Sequence, residues 1–187
     1  MDSSEYLGSE YLDRALIECG AVRFGEFKLT SGRISDYYVD VKLASTRPAI
    51  LGQIAAGMRD IIASEFGDAD LLSGMELGAV PIAAAAALAT DIDYLIVRKA
   101  PKGHGTGGQI EGSWKEGAGV VILEDVTTTG GSVLRSAEVL AAADLRVLGA
   151  VTVVDREEGA TALMEENGIE FRALTTATSV KSRRDDL

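Results

Sequence analysis

Hydrophobic positions change period several times along the chain, and each change marks an element. From about Ser4 to Glu18, Tyr6, Leu7, Tyr11, Leu12, Ala15 and Leu16 recur at helical spacing, continue to Cys19 and stop at Gly20, which predicts a helix. Between Val22 and Lys42 the pattern turns to alternation rich in Phe, Tyr, Val and Thr, broken at Ser31-Gly32-Arg33, which predicts a β-hairpin or small sheet. Pro48 then opens a second helical stripe of Ile50, Leu51, Ile54, Ala55, Met58, Ile61 and Ile62 that runs out near Gly67.

Farther along, short apolar runs at Leu71–Ser73, Tyr94–Val97, Val120–Leu123, Val147–Val154 and Phe171–Leu174 are too short for helices and mostly β-branched, as buried parallel strands are. Helical stretches around Val80–Ala89, Ser132–Ala143 and Ala160–Glu166 separate them. The order from Leu71 is strand, helix, strand, long loop, strand, helix, strand, helix, strand. It predicts an α/β fold: a doubly wound, mainly parallel sheet flanked by helices, with a small N-terminal cap over about residues 1–42. With no linker, low-complexity tract or repeat, residues 1–187 read as one domain. Ligands of such sheets bind beyond the carboxyl ends of the strands, so the residues just after each strand are where chemistry is sought.

Composition narrows the classes. At 187 residues the chain is long enough to bury a full core without staples, and its single cysteine, Cys19, allows no internal disulfide framework. A formal charge of -11 argues against a general nucleic-acid or anionic-membrane binder, since both need an excess of Lys and Arg. The acidic balance would suit a protein kept soluble at high salt. No apolar run approaches the roughly 20 residues that span a bilayer, and the start of the chain, with Asp2 and Glu5, lacks a basic then apolar leader. A cytoplasmic protein is expected, in which any anionic ligand needs a local basic site.

The most informative run is Val120-Val121-Ile122-Leu123-Glu124-Asp125-Val126-Thr127-Thr128-Thr129-Gly130-Gly131-Ser132, an apolar strand ending in two acids and a hydroxyl/glycine turn before a helix. Glycines let backbone close around a phosphate, the free N–H groups of the helix start point at it, and Thr and Ser hydroxyls donate further bonds. Glu124 and Asp125, one turn away, are placed to accept hydrogen bonds from ribose hydroxyls. Taken alone, the run also fits an ordinary strand end with a generic anion site. It is not a triphosphate P-loop, lacking Gly-Lys before the Ser, nor a dinucleotide fingerprint, lacking the spaced glycines and downstream acid. It resembles the signature with which type I phosphoribosyltransferases bind 5-phosphoribosyl 1-diphosphate (PRPP). That resemblance implies donor contacts along Glu124, Asp125, Val126, Thr127, Thr128, Thr129, Gly130, Gly131 and Ser132, with Asp125 also catalytic.

A second run, Arg98-Lys99-Ala100-Pro101-Lys102-Gly103-His104-Gly105-Thr106-Gly107-Gly108-Gln109-Ile110-Glu111-Gly112, gathers three cations and the only histidine of an acidic chain into a Gly-rich loop. Read from composition it is either a solvated charged loop or an anion-binding one, expected to be mobile over about residues 99–117. Its Arg98-Lys99-X-X-Lys102-X-His104-Gly105 pattern resembles the catalytic loop of orotate phosphoribosyltransferases. In that family the loop closes over the diphosphate from the neighbouring subunit of a homodimer. The resemblance implies PRPP contacts at Arg98, Lys99, Lys102 and His104, with Lys102 and His104 catalytic at the leaving group. It also implies Mg²⁺ as cofactor, without assigning it a side-chain ligand.

Two more segments carry the same resemblance: Phe27-Lys28-Leu29-Thr30-Ser31-Gly32-Arg33-Ile34-Ser35-Asp36-Tyr37-Tyr38, which looks like the stretch roofing the orotate site, and Val153-Val154-Asp155-Arg156-Glu157-Glu158-Gly159. The implied orotate contacts are Thr128 and Arg156. A planar guanidinium grips a carboxylate by two parallel hydrogen bonds and so tells orotate from uracil. The plainer reading of Arg156 is a strand-end ion pair with Asp155 or Glu157. The chain departs from the family at Thr30, where a lysine is common and the nearest here is Lys28, and at Glu76-Leu77, where Tyr-Lys is common in the Ser73–Pro81 turn. The implied activity joins PRPP and orotate into orotidine 5′-monophosphate and diphosphate. The alternatives are a purine-type phosphoribosyltransferase, expected to lack the Arg98–Gly105 pattern and the Ser31-Gly32-Arg33 stretch, and a PRPP-sensing regulator, expected to carry a basic helix-turn-helix.

Overall fold

The structure, a computed structural model, describes residues 6–28, 32, 34–101 and 108–184. The first helix, α1 (Ser9–Glu18), leads into the hairpin of β1 (Val22–Lys28) and β2 (Ile34–Val39), antiparallel and separate from the main sheet. A short α2 (Lys42–Ser45) and a long α3 (Pro48–Glu65) follow, α3 opening on Pro48, whose fixed φ and missing N–H suit a first helical turn. The core then runs β3 (Leu71–Met75), α4 (Ala79–Thr90), β4 (Asp93–Val97), β5 (Ile110–Glu111), β6 (Gly119–Thr127), α5 (Gly131–Ala141), β7 (Arg146–Asp155), α6 (Ala160–Glu166), β8 (Glu170–Thr176) and α7 (Ala177–Ser182).

The main sheet has the order β5-β4-β3-β6-β7-β8, parallel throughout except for β5 at its edge. Alternation along the strands feeds two cores. On β6, Val121 and Leu123 pack with Leu12 and Leu16 of α1, Met58 of α3 and Ile82 of α4, while Val120 and Ile122 pack with Val133 and Leu140 of α5 and Met164 of α6. Both faces are thus covered, which is why these strands read as continuous apolar runs rather than alternating ones.

The doubly wound sheet and the capping hairpin match the expectation from pattern, and three differences have physical causes. The strands extend beyond their apolar runs, β6 reaching Thr127 because its acids and hydroxyls still pair in register with β7 up to Thr127 opposite Asp155. Within the stretch 99–117, Ile110–Glu111 pair antiparallel with β4, and the Arg98 N–H donates to the Gln109 carbonyl at 2.8 Å. That pairing needs only backbone, so a polar, Gly-rich composition concealed it. Finally, α2 and α7 are too short to show a period; α7 is set instead by Thr176, whose hydroxyl accepts the Ser179 N–H at 3.2 Å as an N-cap.

The N-terminal elements are tied to the body by polar bonds as well as apolar ones. Fully buried Asp13 of α1 accepts hydroxyl bonds from Thr175 and from Ser179, the latter at 2.6 Å. A buried carboxylate is stable only with such donors.

Candidate active site

The chain runs from β3 outward to β4, then returns to place β6 on the other side of β3. This reversal leaves a crevice at the carboxyl ends of β3 and β6, the place where open α/β sheets bind ligands. A cleft of about 350 Å³ lies there, lined by Lys42, Glu76, Gly78, Lys99, Glu124, Asp125 and Ser132 among others. A larger hollow of about 680 Å³ surrounds Trp114 at the opposite, amino ends of the strands, where this fold class does not seat ligands.

Glu124 and Asp125 end the regular apolar part of β6. Both carboxylates turn back on the backbone: Glu124 Oε1 accepts the Asp125 N–H at 3.1 Å and Asp125 Oδ1 the Val126 N–H at 2.8 Å. The other Glu124 oxygen accepts the Ser132 hydroxyl at 2.8 Å, bridging the strand end to the first turn of α5. Glu124 is 6% exposed, and burial, followed by the neighbouring Asp125 charge, pushes its pKa up to about 8. It is therefore a buried acid that holds its proton near neutrality until donors arrive. The Asp125 carboxylate leans over the turn after β3: a Cβ on Gly78 would stand 1.9 Å from Asp125 Oδ2, so a side chain there would force the carboxylate to move.

The hydroxyl- and glycine-rich turn follows. Thr128, Thr129 and Gly130 form the bend before α5, and Gly130, at φ +87°, takes a left-handed conformation that releases the chain into the helix. A side chain there would meet Met164 Cε at 2.9 Å. The Thr127 hydroxyl is buried with no hydrogen-bond partner among the described residues. Such a group calls for a ligand or water at the mouth of the turn. Val126 lines the cleft, and Gly131 begins α5, whose first N–H groups lack intrahelical acceptors.

Arg156 is joined to this turn directly, its N–H donating to the Thr127 carbonyl at 2.9 Å. Its guanidinium pairs with Glu158 at 2.8 Å, donates through Nε to the Tyr37 hydroxyl at 3.2 Å and lies 4.9 Å from the centre of the Tyr37 ring. The ion pair predicted with Asp155 or Glu157 does not form. Asp155 accepts the Glu157 N–H at 2.8 Å, while Glu157, at φ +57°, sends its carboxylate to the Thr178 N–H at 2.7 Å.

Of the cationic loop, Lys99 lines the cleft and its N–H donates to Glu76 Oε1 at 2.8 Å. Arg98 points elsewhere, toward Glu111 at 3.4 Å. Lys102 and His104 lie outside the described residues, as does Thr30. One cleft residue escaped the sequence reading, and another was read only as a departure from the family pattern. Lys42 of α2 reaches the cleft while held at 2.6 Å by Asp40, whose acceptance of the ammonium proton raises the Lys42 pKa. Glu76, a departure from the Tyr-Lys common in the family, follows β3, and its carboxylate accepts the main-chain N–H of Lys99. Lys42 carried no signal, since it is a single charge at an element end.

Comparison with known proteins agrees with this geometry. Residues 46–167 match the family described as the phosphoribosyl transferase domain. An orotate phosphoribosyltransferase of Pyrococcus furiosus is 50% identical over 165 residues, covering 88% of this chain and 91% of the relative. The chain belongs to the orotate phosphoribosyltransferase family. Among solved structures, the family member from Aeropyrum pernix superposes with a TM-score of 0.85 at 31% identity, covering 94% of this chain and 99% of that one. The Mycobacterium tuberculosis H37Rv orotate phosphoribosyltransferase in complex with PRPP gives 0.78 at 31% identity, over 92% of this chain and 98% of that one.

Proposed function

We propose that the chain transfers the phosphoribosyl group of PRPP to orotate, giving orotidine 5′-monophosphate and diphosphate, in the formation of pyrimidine nucleotides. The observation that carries this is the 2.9 Å main-chain bond from the Arg156 N–H to the Thr127 carbonyl, which supports reading Arg156 as the carboxylate-recognising residue beside a donor-binding turn. The turn from Thr127 to Ser132 receives the 5′-phosphate on the N–H groups of α5 and on its hydroxyls. Glu124 and Asp125 accept the ribose hydroxyls, and Arg156 with Thr128 orients the acceptor so that a ring nitrogen meets the anomeric carbon as its bond to diphosphate breaks. Lys99, and by resemblance Lys102 and His104, neutralise the departing diphosphate.

Mg²⁺ fits this donor set. Among the described residues no cluster of three or more His, Cys, Asp or Glu converges, so the protein would offer the ion the Glu124–Asp125 pair while the substrate's own oxygens complete its shell. Bound there, the ion would add positive charge against the diphosphate.

Two features support a homodimer that shares its sites. In α4, almost wholly Ala, Val, Leu and Ile, Leu88 is 90% exposed, and Leu77 just before it is 73% exposed, an apolar face suited to a second copy. The cationic pattern of residues 98–105 also resembles that of a loop acting across subunits. Among the described residues no helix is long and apolar enough to cross a membrane, and the acidic charge fits a cytoplasmic enzyme.

The deciding assay supplies PRPP and Mg²⁺ with single bases and follows orotate absorbance. Loss of orotate, dependent on both, is expected; turnover of hypoxanthine alone, or of no base, rejects the reading.

A further inference from the structure

A long arginine at a strand end has many rotamers, and a fork that reads a carboxylate works only if it is held in one of them. Arg156 is so held. Its Nε–H donates to the Tyr37 hydroxyl at 3.2 Å, and Nη2 forms an ion pair with Glu158 at 2.8 Å. The Tyr37 ring, 5% exposed, sits 4.9 Å from the guanidinium carbon. The Lys181 ammonium of α7 lies 4.1 Å from the centre of the same ring. Two cations on one ring repel unless each is compensated, and each is: Glu158 pairs with Arg156, and Asp36 with Lys181 at 3.1 Å. Tyr37 thus gathers the capping hairpin, the end of β7 and α7 around one guanidinium.

We propose that Tyr37 is a positioning residue for acceptor recognition. By accepting from Nε and lying against the guanidinium, it holds the side chain so that the Nη1–Nη2 end of the fork is turned to the carboxylate of the acceptor base. The inference rests on the reading of Arg156 as the carboxylate-recognising residue.

Tyr37→Phe tests it, because it keeps the ring and its packing and deletes only the hydroxyl. The KM for orotate is expected to rise about three- to tenfold, the effect of one lost hydrogen bond, with the KM for PRPP moving less than about twofold. The preference for orotate over uracil in kcat/KM should fall by a similar factor, since uracil has no carboxylate to lose. A merely structural role would instead raise both KM values together and lower the melting temperature. Either that result or an unchanged orotate KM overturns the inference. Arg156→Ala separates this from the reading beneath it. If that variant keeps the orotate preference, the acceptor assignment of Arg156 fails; if it loses the preference while Tyr37→Phe does not, only the positioning role fails.

Discussion

Glu124 concentrates most of the electrostatic tension of the site in one side chain. Its ordinary pKa of 4.5 is raised to about 8 by burial and by Asp125, and the Ser132 hydroxyl opposes that rise. The folded protein therefore keeps a proton on Glu124 over a range in which the unfolded chain has lost it. The stability this contributes is complete below pH about 4.5 and disappears as pH climbs to about 8, a loss on the order of a few kcal/mol. Denaturant melts of Glu124→Gln should lack that part of the pH dependence; identical profiles for variant and parent would contradict the assignment. Ribose hydroxyls donate best to the ionised carboxylate, so kcat/KM for PRPP should rise with pH as Glu124 ionises in the free enzyme. Deleting the stabilising hydroxyl in Ser132→Ala should push that rising limb to higher pH, and a limb that stays or moves lower would show that another group governs it.

At the scale of elements, the strand-turn-helix from β6 to α5, proposed to hold the donor, keeps its shape because Gly130 takes a conformation that other residues resist. Gly130→Ala would strain a φ of +87° and drive a methyl to 2.9 Å from Met164 Cε. A loss of about 1–3 kcal/mol in stability is expected, with a raised KM for PRPP since the turn and the anion site are one structure. A variant that melts normally and binds PRPP normally would mean the turn has another low-energy form. Most of this element was legible in advance, because its apolar strand, acids, hydroxyls and glycines are contiguous. The same holds for the boundaries of α6, read correctly from its stripe. By contrast β5, two residues long and paired through backbone alone, has no side-chain pattern to read.

For the whole molecule, the exposed apolar face of α4 and the cationic loop make separate claims about assembly. Leu88→Glu, at a position 90% exposed in one chain, should leave the fold intact and shift sedimentation toward monomer. A variant that sediments as its parent does would place the interface elsewhere. If sites are shared, an inactive Lys102→Ala chain mixed with an inactive Asp125→Asn chain should regain activity in hybrid dimers. Proven hybrids that stay inactive would show each site to be built within one subunit.

What the residues determined by themselves was everything carried by neighbours in the chain: the alternation of strands and helices, the two-faced burial of β6, and the acid, hydroxyl and glycine turn from Glu124 to Ser132. Each depends on periodicity or on backbone geometry over a dozen residues, and such information survives in linear order. Tertiary structure alone decided which distant groups meet. Tyr37, Arg156 and Lys181 come together across more than a hundred positions, Lys42 reaches the cleft, Glu76 caps Lys99, and Arg156 takes Glu158 rather than its nearer acids. Those pairings follow from the sheet's strand order and from rotamers chosen by packing, and neither is written in the spacing of residues along the chain.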